Sequence, residues 1–335
     1  MGDSVRAMGL SGGRKVFPLA LVVVSLLGLL LLIWAPVAQA EDVPTPTVND
    51  GGPVAAEMTV LLTNLSGLNL ATGTFNATFY VGLTCDRPCE ASEWDVLNAQ
   101  SLKREVIAEQ NGATWWLVSG TFTLNPELRL FPFDTQLLPI EIEHRLLNSS
   151  ELVLVPNVEA SEVAPEVIIA GWEKEAFRFT SSTTVYRSLG ADYSRATFTQ
   201  PVSRSTLASI TKYYVPLVIF ILIGSLTLLL TRFDVQIGTA ASALVGMTVF
   251  YLAASGGVGT VGYLTVWDLS LIIGYVVLGL VLACGVVGIR RKDAGAYETP
   301  EGEAEGRRMR LAFLAAVTLV VVLGGAGILL TAVLT

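Results

Sequence analysis

The stretch LRLFPFDTQLLPIEI, residues 128–142, joins a stiff apolar turn to a strand. In its FPFD segment (131–134), a proline and a carboxylate lie among aromatic rings, and proline fixes the backbone dihedral φ. Next, Ile140 and Ile142 alternate with two glutamates, which predicts a strand with one apolar and one polar face. What so rigid and apolar a turn contacts depends on the rest of the chain.

The first 40 residues have the features of a secretory signal peptide. Arg14 and Lys15 precede a long apolar run, and the run ends in the small-x-small pattern of residues 38–40. The sequence predicts a signal peptide over residues 1–40, cleaved after Ala40. The run is also long enough to remain as an uncleaved anchor, and in either case the following region is exported.

Residues 41–212 are predicted to form an all-β, immunoglobulin-like sandwich outside the cell. Short alternating stretches such as FNATFYVGL, TWWLVSGTFTL and AFRFTSSTTVY are separated by turn residues, which is typical of a sandwich or barrel. Cys85 and Cys89 are close together in this exported region, so they either form a small disulfide loop or remain two free thiols. Cys284 lies in an apolar run and is expected to be a buried hydrophobe.

Composition argues against several classes of function. The chain of 335 residues has a net charge of -8, which excludes nucleic-acid binding. A single histidine builds neither a metal site nor a His-based triad, and no phosphate loop is present. We therefore predict no catalytic residues, no cofactor and no metal. The enzymatic alternative is a glycosidase in which Glu141 or Glu143 lies in a cleft beside another acid.

Residues 213–335 are predicted to cross a membrane four times, since about 20 apolar residues in a helix span a bilayer core. The predicted spans are 213–233, 236–254, 263–289 and 311–334, with a cytoplasmic loop at 290–310. The basic residues flank the first and third loops: Arg232, Arg290, Arg291, Lys292, Arg307, Arg308 and Arg310. The positive-inside bias therefore puts the β-domain and the C-terminus outside the inner (plasma) membrane.

The second span carries an unusual helical stripe. Steps of three and four residues give Asp234, Gly238, Ser242, Val245, Val249 and Leu252. The stripe is acidic at one end, small and polar in the middle, and apolar at the other end. Either it lines a pore, or its small residues allow tight packing against other helices.

An exported β-domain followed by these four spans resembles the pentameric ligand-gated ion channels (Cys-loop receptors), and their bacterial members most of all. The family's aromatic-Pro-Phe-Asp-x-Gln motif matches residues 131–136. The spacing from Arg204 to Pro216 matches as well, and the segments GTF (73–75) and GYLTVWD (262–268) have family counterparts. Leu124 and Leu138 occupy the positions of the bracketing cysteines, so that disulfide is absent, as is usual in bacterial relatives.

The resemblance implies how the two domains are coupled. The aromatic-Pro-Phe turn is expected at the membrane surface, against the loop between spans two and three, with Asp134 paired to Arg204. An alternative is that Asp134 only caps a tight turn. The coupling residues implied are Phe75, Phe131, Pro132, Phe133, Asp134, Arg204, Tyr263 and Asp268.

The resemblance also implies a function, namely a homopentameric channel for monovalent cations in contact with membrane lipids. Hydrophobic rings gate its pore and Asp234 forms a charged ring. Arg232 would offset that ring if it faced the lumen, but it is expected to face lipid headgroups or water. An unidentified small-molecule agonist is expected between neighbouring β-domains, although the loop after residue 144 lacks the Trp of amine-binding members. Candidate agonist contacts are Trp115, Trp116, His144, Arg145, Tyr186 and Tyr193. The alternative is a non-conducting periplasmic sensor on a four-helix anchor.

Overall fold

The computed structural model describes residues 52–89, 92–110, 112–259 and 261–334. The predicted signal peptide lies outside these ranges. Within them the chain forms β-strands first and then four long apolar helices. The prediction of a sandwich-like β-domain ahead of four helices of membrane-spanning length is confirmed.

The β-domain consists of two facing sheets. In chain order the strands are β1 (Val54–Asn69), β2 (Thr74–Cys85), β3 (Trp94–Val96), β4 (Ala99–Gln110), β5 (Ala113–Thr123), β6 (Thr135–His144), β7 (Leu152–Pro156), β8 (Glu162–Val163), β9 (Trp172–Lys174), β10 (Arg178–Tyr186) and β11 (Ala191–Arg204). The first sheet has the order β4-β5-β2-β1-β7, with β8 beside β1. The second sheet has the order β10-β11-β6-β3, with β9 beside β11.

An aromatic contact joins the two sheets in the core. The Trp94 ring of β3 meets the Trp116 ring of β5 edge to face, with centroids 5.3 Å apart. On β6, Ile140 and Ile142 are buried as the alternation predicted. Glu143, on the opposite face, is buried too, because side chains of neighbouring strands cover it.

The four helices are α1 (Thr206–Leu229), α2 (Phe233–Ser255), α3 (Val266–Asp293) and α4 (Pro300–Leu334). α1 contains a π-helical turn, Ile210–Tyr214, which ends two residues before Pro216. A proline has no N–H group for the helical ladder, and a π turn is one way to absorb that loss. The 23 residues of α2 extend about 34 Å, enough to cross a bilayer core.

The helix ends differ from the predicted ones: α1 ends at Leu229, before the predicted 233, and α3 begins at Val266, after the predicted 263, whereas other ends extend further than predicted. α1 begins seven residues before the predicted 213, and the predicted loop 290–310 shrinks to 294–299. The residues lost from the loop are charged yet helical. Basic residues end α3 and acidic residues follow Pro300 in α4, both of which suit the helix dipole. Hydropathy identifies the apolar part of a helix and is silent about such polar extensions.

α2 is the least enclosed of the four helices. α3 packs against α1, α2 and α4. Only 17% of the span of α2 is buried within the chain, compared with 44% for α1 and α3. One long face of α2 is therefore left uncovered by the rest of the subunit.

Candidate functional site

The turn between β5 and β6 caps the start of α3. The first residues of a helix have N–H groups without intrahelical partners. Here the Val266 N–H donates to the Arg129 carbonyl at 2.9 Å, and the Trp267 N–H donates to the Phe131 carbonyl at 3.1 Å. Two backbone carbonyl groups of the β-domain thus accept hydrogen bonds from the first N–H groups of a membrane-length helix.

Asp134 and Arg204 lie at the base of the same turn. The Arg204 Nε atom donates to Asp134 Oδ1 at 2.7 Å, and Asp134 is 1% exposed. The other oxygen of Asp134 accepts a 2.6 Å hydrogen bond from Gln136. The Arg204 guanidinium stacks over the rings of Phe131 and Trp172, at 5.0 and 4.4 Å from their centroids. The structure therefore places Asp134 in a charge-assisted pair, and not merely at the cap of a turn.

Aromatic rings continue this contact into α1. Phe131 meets Tyr213 with ring centroids 5.1 Å apart, and Phe133 stacks on Tyr214 at 5.5 Å. Trp267 of α3 packs edge to face against both tyrosines. The stiff apolar turn therefore contacts aromatic rings at the starts of both α1 and α3.

Pro132 contributes its carbonyl oxygen to this contact. The Ser209 hydroxyl at the start of α1 donates to that oxygen at 2.7 Å. The Phe131–Pro132 peptide bond is cis. The turn is therefore bonded to α1 by a hydrogen bond as well as by ring packing.

Two further coupling candidates lie near α3. The Tyr263 hydroxyl accepts from the Leu128 N–H at 2.9 Å and donates to Glu127 at 3.3 Å. Asp268 forms a capping box with Thr265 at the start of α3. Asp268 therefore orders the helix end that the β-domain caps, and in the described part of the chain its carboxylate bonds Thr265 rather than that domain.

Phe75 does not lie at the junction. Its ring is 1% exposed and packs inside the sandwich, 5.6 Å from Phe122. The β1–β2 loop makes the contact with the α2–α3 loop instead. Gly259 of the α2–α3 loop approaches Ala71 so closely that a Cβ on the glycine would lie 2.8 Å from the Ala71 Cα. The position of Phe75 on the apolar face of β2 explains the difference.

The predicted stripe of α2 forms its uncovered face. Asp234, Gly238, Ser242, Val245, Val249 and Leu252 are all exposed. Val245, Val249 and Leu252 are each more than 60% exposed, whereas Gln236, Ala240 and Met247 on the other face are fully buried. Within this subunit, therefore, the stripe does not pack against other helices.

Asp234 at the end of this face has a partner that the sequence analysis missed. The Arg232 Nη2 atom lies 2.8 Å from Asp234 Oδ2, and both side chains are more than half exposed. Arg232 was expected to face lipid headgroups or water, and its side chain is largely exposed, but its bond to Asp234 was not predicted. An exposed pair of this kind is weak, so it reduces the local negative charge without fixing the two side chains.

Arg195 is the centre of a polar cluster on the outer face of the second sheet. It donates to Glu143 at 2.6 Å and to Glu141 at 3.0 Å, and its Nη2 atom donates to the Tyr186 hydroxyl at 3.0 Å. Burial lowers the pKa of Arg195, but the hydrogen bond to Glu143 and the charges of both glutamates together outweigh burial. The pKa of Arg195 therefore lies above its usual range. The glutamates are therefore bound by one arginine, an arrangement unlike that of a glycosidase acid pair.

Some agonist candidates meet this cluster. Tyr186 and Tyr193, on either side of the β10–β11 turn, pack edge to face with ring centroids 5.7 Å apart. Arg145 is exposed and 3.9 Å from Asp95. Trp115 lies on the other sheet, where its ring covers Gly82. Within one subunit the two sets of candidates are thus on different sheets.

His144 and Trp116 are packing residues in this structure. His144 is 2% exposed, and its Nδ1 atom accepts from the N–H groups of Leu146 and Leu147. Trp116 is 1% exposed inside the core. Both lie at positions of the alternating pattern that point inward, so neither ring reaches the surface of the subunit.

The three cysteines are accounted for. Cys85 and Cys89 form a disulfide, and Cys284 is a buried free thiol in α3. Across the described ranges, no three His, Cys, Asp or Glu side chains are grouped so as to hold a metal ion.

Comparison with known proteins adds no relative. A scan against protein-family models finds no match, and a search of curated proteins finds no similar sequence. The function must therefore be argued from the residues and their geometry.

Proposed function

We propose that this protein is a homopentameric, cation-selective ion channel of an inner (plasma) membrane, opened by a ligand that binds between exported β-domains. The uncovered face of α2 carries the proposal. A membrane-length helix with an acidic end, a small polar middle and an apolar outer part is expected to line a shared axis, and not lipid, since Asp234 and Ser242 are costly against hydrocarbon.

The junction supplies a route from ligand to pore. The hydrogen bonds from Val266 and Trp267 tie the β-domain to the start of α3, and the Asp134–Arg204 pair holds the turn that accepts them. α3 packs directly on α2. A change in the packing of β-domains is therefore expected to move the pore helix, with the ligand biasing a two-state equilibrium.

The experiment that tests the pore uses the two members of the exposed ion pair. Val249→Ser serves as the background, because a polar ring hydrates an apolar constriction and allows current without the agonist. In asymmetric salt, Asp234→Ala is expected to move the reversal potential toward zero. Arg232→Gln unpairs the carboxylates and is expected to move it the opposite way, toward the cation equilibrium potential.

The matched control is Thr231→Ala, an exposed neighbour that forms no part of the ion pair. It is expected to leave the reversal potential unchanged. A reversal potential that neither Asp234→Ala nor Arg232→Gln changes would mean that Asp234 does not line the pore. A Val249→Ser protein without any current contradicts the channel and favours a β-domain sensor on a membrane anchor.

A further inference from the structure

Two apolar side chains are unusually exposed at the end of the β-domain nearest the helices. Among the large apolar side chains that the structure describes, Ile168 and Leu207 are the most exposed, at 79% and 72%. Ile168 lies in the loop between β8 and β9, and Leu207 is the second residue of α1. Single exposed apolar residues are common on soluble surfaces, so exposure alone does not mark a site, and the position of these two matters.

The pairing of β9 with β11 places both side chains on the helix side of the sheet. Trp172 at the start of β9 lies opposite Arg204 at the end of β11, in antiparallel register. The chain before Trp172 and the chain after Arg204 therefore leave the sheet in the same direction. Ile168 is four residues before the former, and Leu207 is three residues after the latter. Both side chains thus lie just past the last strand pair, where α1 begins.

The β8–β9 loop presents Ile168 outward from an ordered backbone. Its two neighbours face inward, because Val167 is buried and Ile169 is half-buried against the core. Turn bonds hold both neighbours in place. The Val167 N–H donates to the Ala164 carbonyl at 3.0 Å, and the Trp172 N–H donates to the Ile169 carbonyl at 3.0 Å. Turning Ile168 inward would therefore break the packing of the residues on either side of it.

Leu207 continues an exposed apolar stripe of α1. Steps of four residues from Val215 give Ile219 and Ile223, and all three side chains are exposed. Leu207 precedes Val215 by two turns, and the intervening π-helical turn uses about one extra residue, which keeps Leu207 near the same face. The 24 residues of α1 extend about 36 Å, more than the roughly 30 Å of a hydrocarbon core. The ends of α1 are therefore expected to reach the headgroup region.

We propose that the β8–β9 loop is a membrane contact, in which Ile168 inserts beside Leu207 into the boundary between headgroups and acyl chains on the β-domain side. Apolar side chains of proteins that lie on a membrane enter this boundary by about 5–10 Å. The partner is a lipid surface, which apolar contact recognises without a bound headgroup. Because Trp172 stacks on Arg204, this contact lies next to the junction with the helices. The inference requires helices in a bilayer, but neither conduction nor five copies.

Fluorescence quenching by labelled lipid tests the contact in the full chain. Ile168→Cys on a Cys284→Ala background is labelled with bimane and placed in nanodiscs, with a nitroxide either on the acyl chain near the headgroup or on a soluble molecule. Cys85 and Cys89 are bonded to each other and do not take up the label. The lipid nitroxide is expected to lower the emission about twofold, since a side chain at this depth lies beside it.

Leu189 provides the matched control. It is 63% exposed in the turn between β10 and β11, at the opposite end of β11 from Arg204. The 14 residues of β11 extend about 46 Å, so a label on Leu189→Cys lies far from the start of α1. The soluble nitroxide is expected to quench this label, and the lipid nitroxide is expected to leave its emission unchanged.

Hydrogen exchange in nanodiscs tests whether the apolar side chain makes the contact. Ile168→Asn is expected to speed exchange of the amides at 164–171 about tenfold, the equilibrium factor for losing one buried apolar side chain. Ile168→Leu keeps the apolar area and is expected to stay within about twofold of the unchanged protein. Leu189→Asn is expected to leave this loop unchanged.

Two results overturn the proposal. Equal lipid quenching of the labels at 168 and 189, with both quenched by the soluble nitroxide, means that the β8–β9 loop lies in water. A label at 168 that neither nitroxide quenches means that a second copy of this chain covers Ile168. Current through the Val249→Ser protein is measured separately, so a failed channel and a failed membrane contact are told apart.

Discussion

Replacing Asp134 with Asn is expected to loosen the junction between the β-domain and the helices. The two oxygens of Asp134 serve two donors, Arg204 Nε at 2.7 Å and Gln136 Nε2 at 2.6 Å. Gln136 is itself held by both backbone groups of Glu127. An Asn amide has one oxygen and one NH2 group, so one of these donors faces another donor, and Arg204 loses its counter-ion.

The magnitude follows from burial. Breaking a buried ion pair by removing one partner costs about 3–5 kcal/mol. The lower end applies here, because the Arg204 side chain is 17% exposed and remains stacked on Phe131 and Trp172. We therefore expect about 3 kcal/mol, or roughly a hundredfold increase in the population in which the junction is open.

Hydrogen exchange of the start of α3 measures this opening. The N–H groups of Val266 and Trp267 are bonded to the turn, so they exchange when the junction opens. Asp134→Asn is expected to speed their exchange about a hundredfold in purified protein. Arg145→Gln, which removes an exposed pair 3.9 Å long, is the matched control and is expected to change it less than about fivefold.

A double-mutant cycle with Arg204→Met decides whether the pair is the cause. If the two side chains act together, the double variant is less destabilised than the sum of the single variants by at least about 1 kcal/mol. Additivity within about 0.5 kcal/mol, or unchanged exchange in Asp134→Asn, would refute the reasoning.

Further predictions concern the loop contact and the outer cluster. Gly259→Ala is expected to displace the loop at Ala71 and to speed the hydrogen exchange of that loop at least tenfold, because the φ of Gly259 is +77° and a Cβ there would lie 2.8 Å from the Ala71 Cα. Gly257→Ala, where a Cβ would have open space, is the control. Equal effects of the two substitutions would contradict the contact. Arg195→Gln is expected to destabilise the β10–β11 hairpin by about 2 kcal/mol, because it leaves the buried Glu143 carboxylate without its charged donor. Hydrogen exchange of the hairpin measures the effect, and the exposed Arg178→Gln is the control. An unchanged hairpin would show that Glu143 needs no counter-ion.

Much of the fold is readable from periodicity. Alternation at Ile140 and Ile142 predicted the buried face of β6, and long apolar runs predicted four helices. The pairing of Asp134 with Arg204 came from a family resemblance, since local patterns carry no information about residues 70 positions apart. The uncovered stripe of α2 followed from helical spacing, which fixes a face but does not say what covers it.

The residues that sequence reasoning missed act through long-range contacts. Trp172, in a short strand, stacks on Arg204 because β9 pairs with β11. Arg195 holds Glu141 and Glu143 because β11 pairs with β6 in register. Opposite charges on facing strands, here Arg195 and Glu143, favour this register, but the sequence does not say which two strands face each other. Position 232 was missed for another reason, since an arginine two residues before an acid bonds it only in certain rotamers.

The central claim is that α2 lines a pore shared by five copies of this chain. Single-particle imaging of the purified, detergent-solubilised protein tests it without a ligand. The account predicts fivefold symmetry, with the face of α2 that carries Asp234, Ser242 and Val249 turned toward a central axis. A monomer or dimer, or a pentamer in which that face is turned toward lipid, would contradict it.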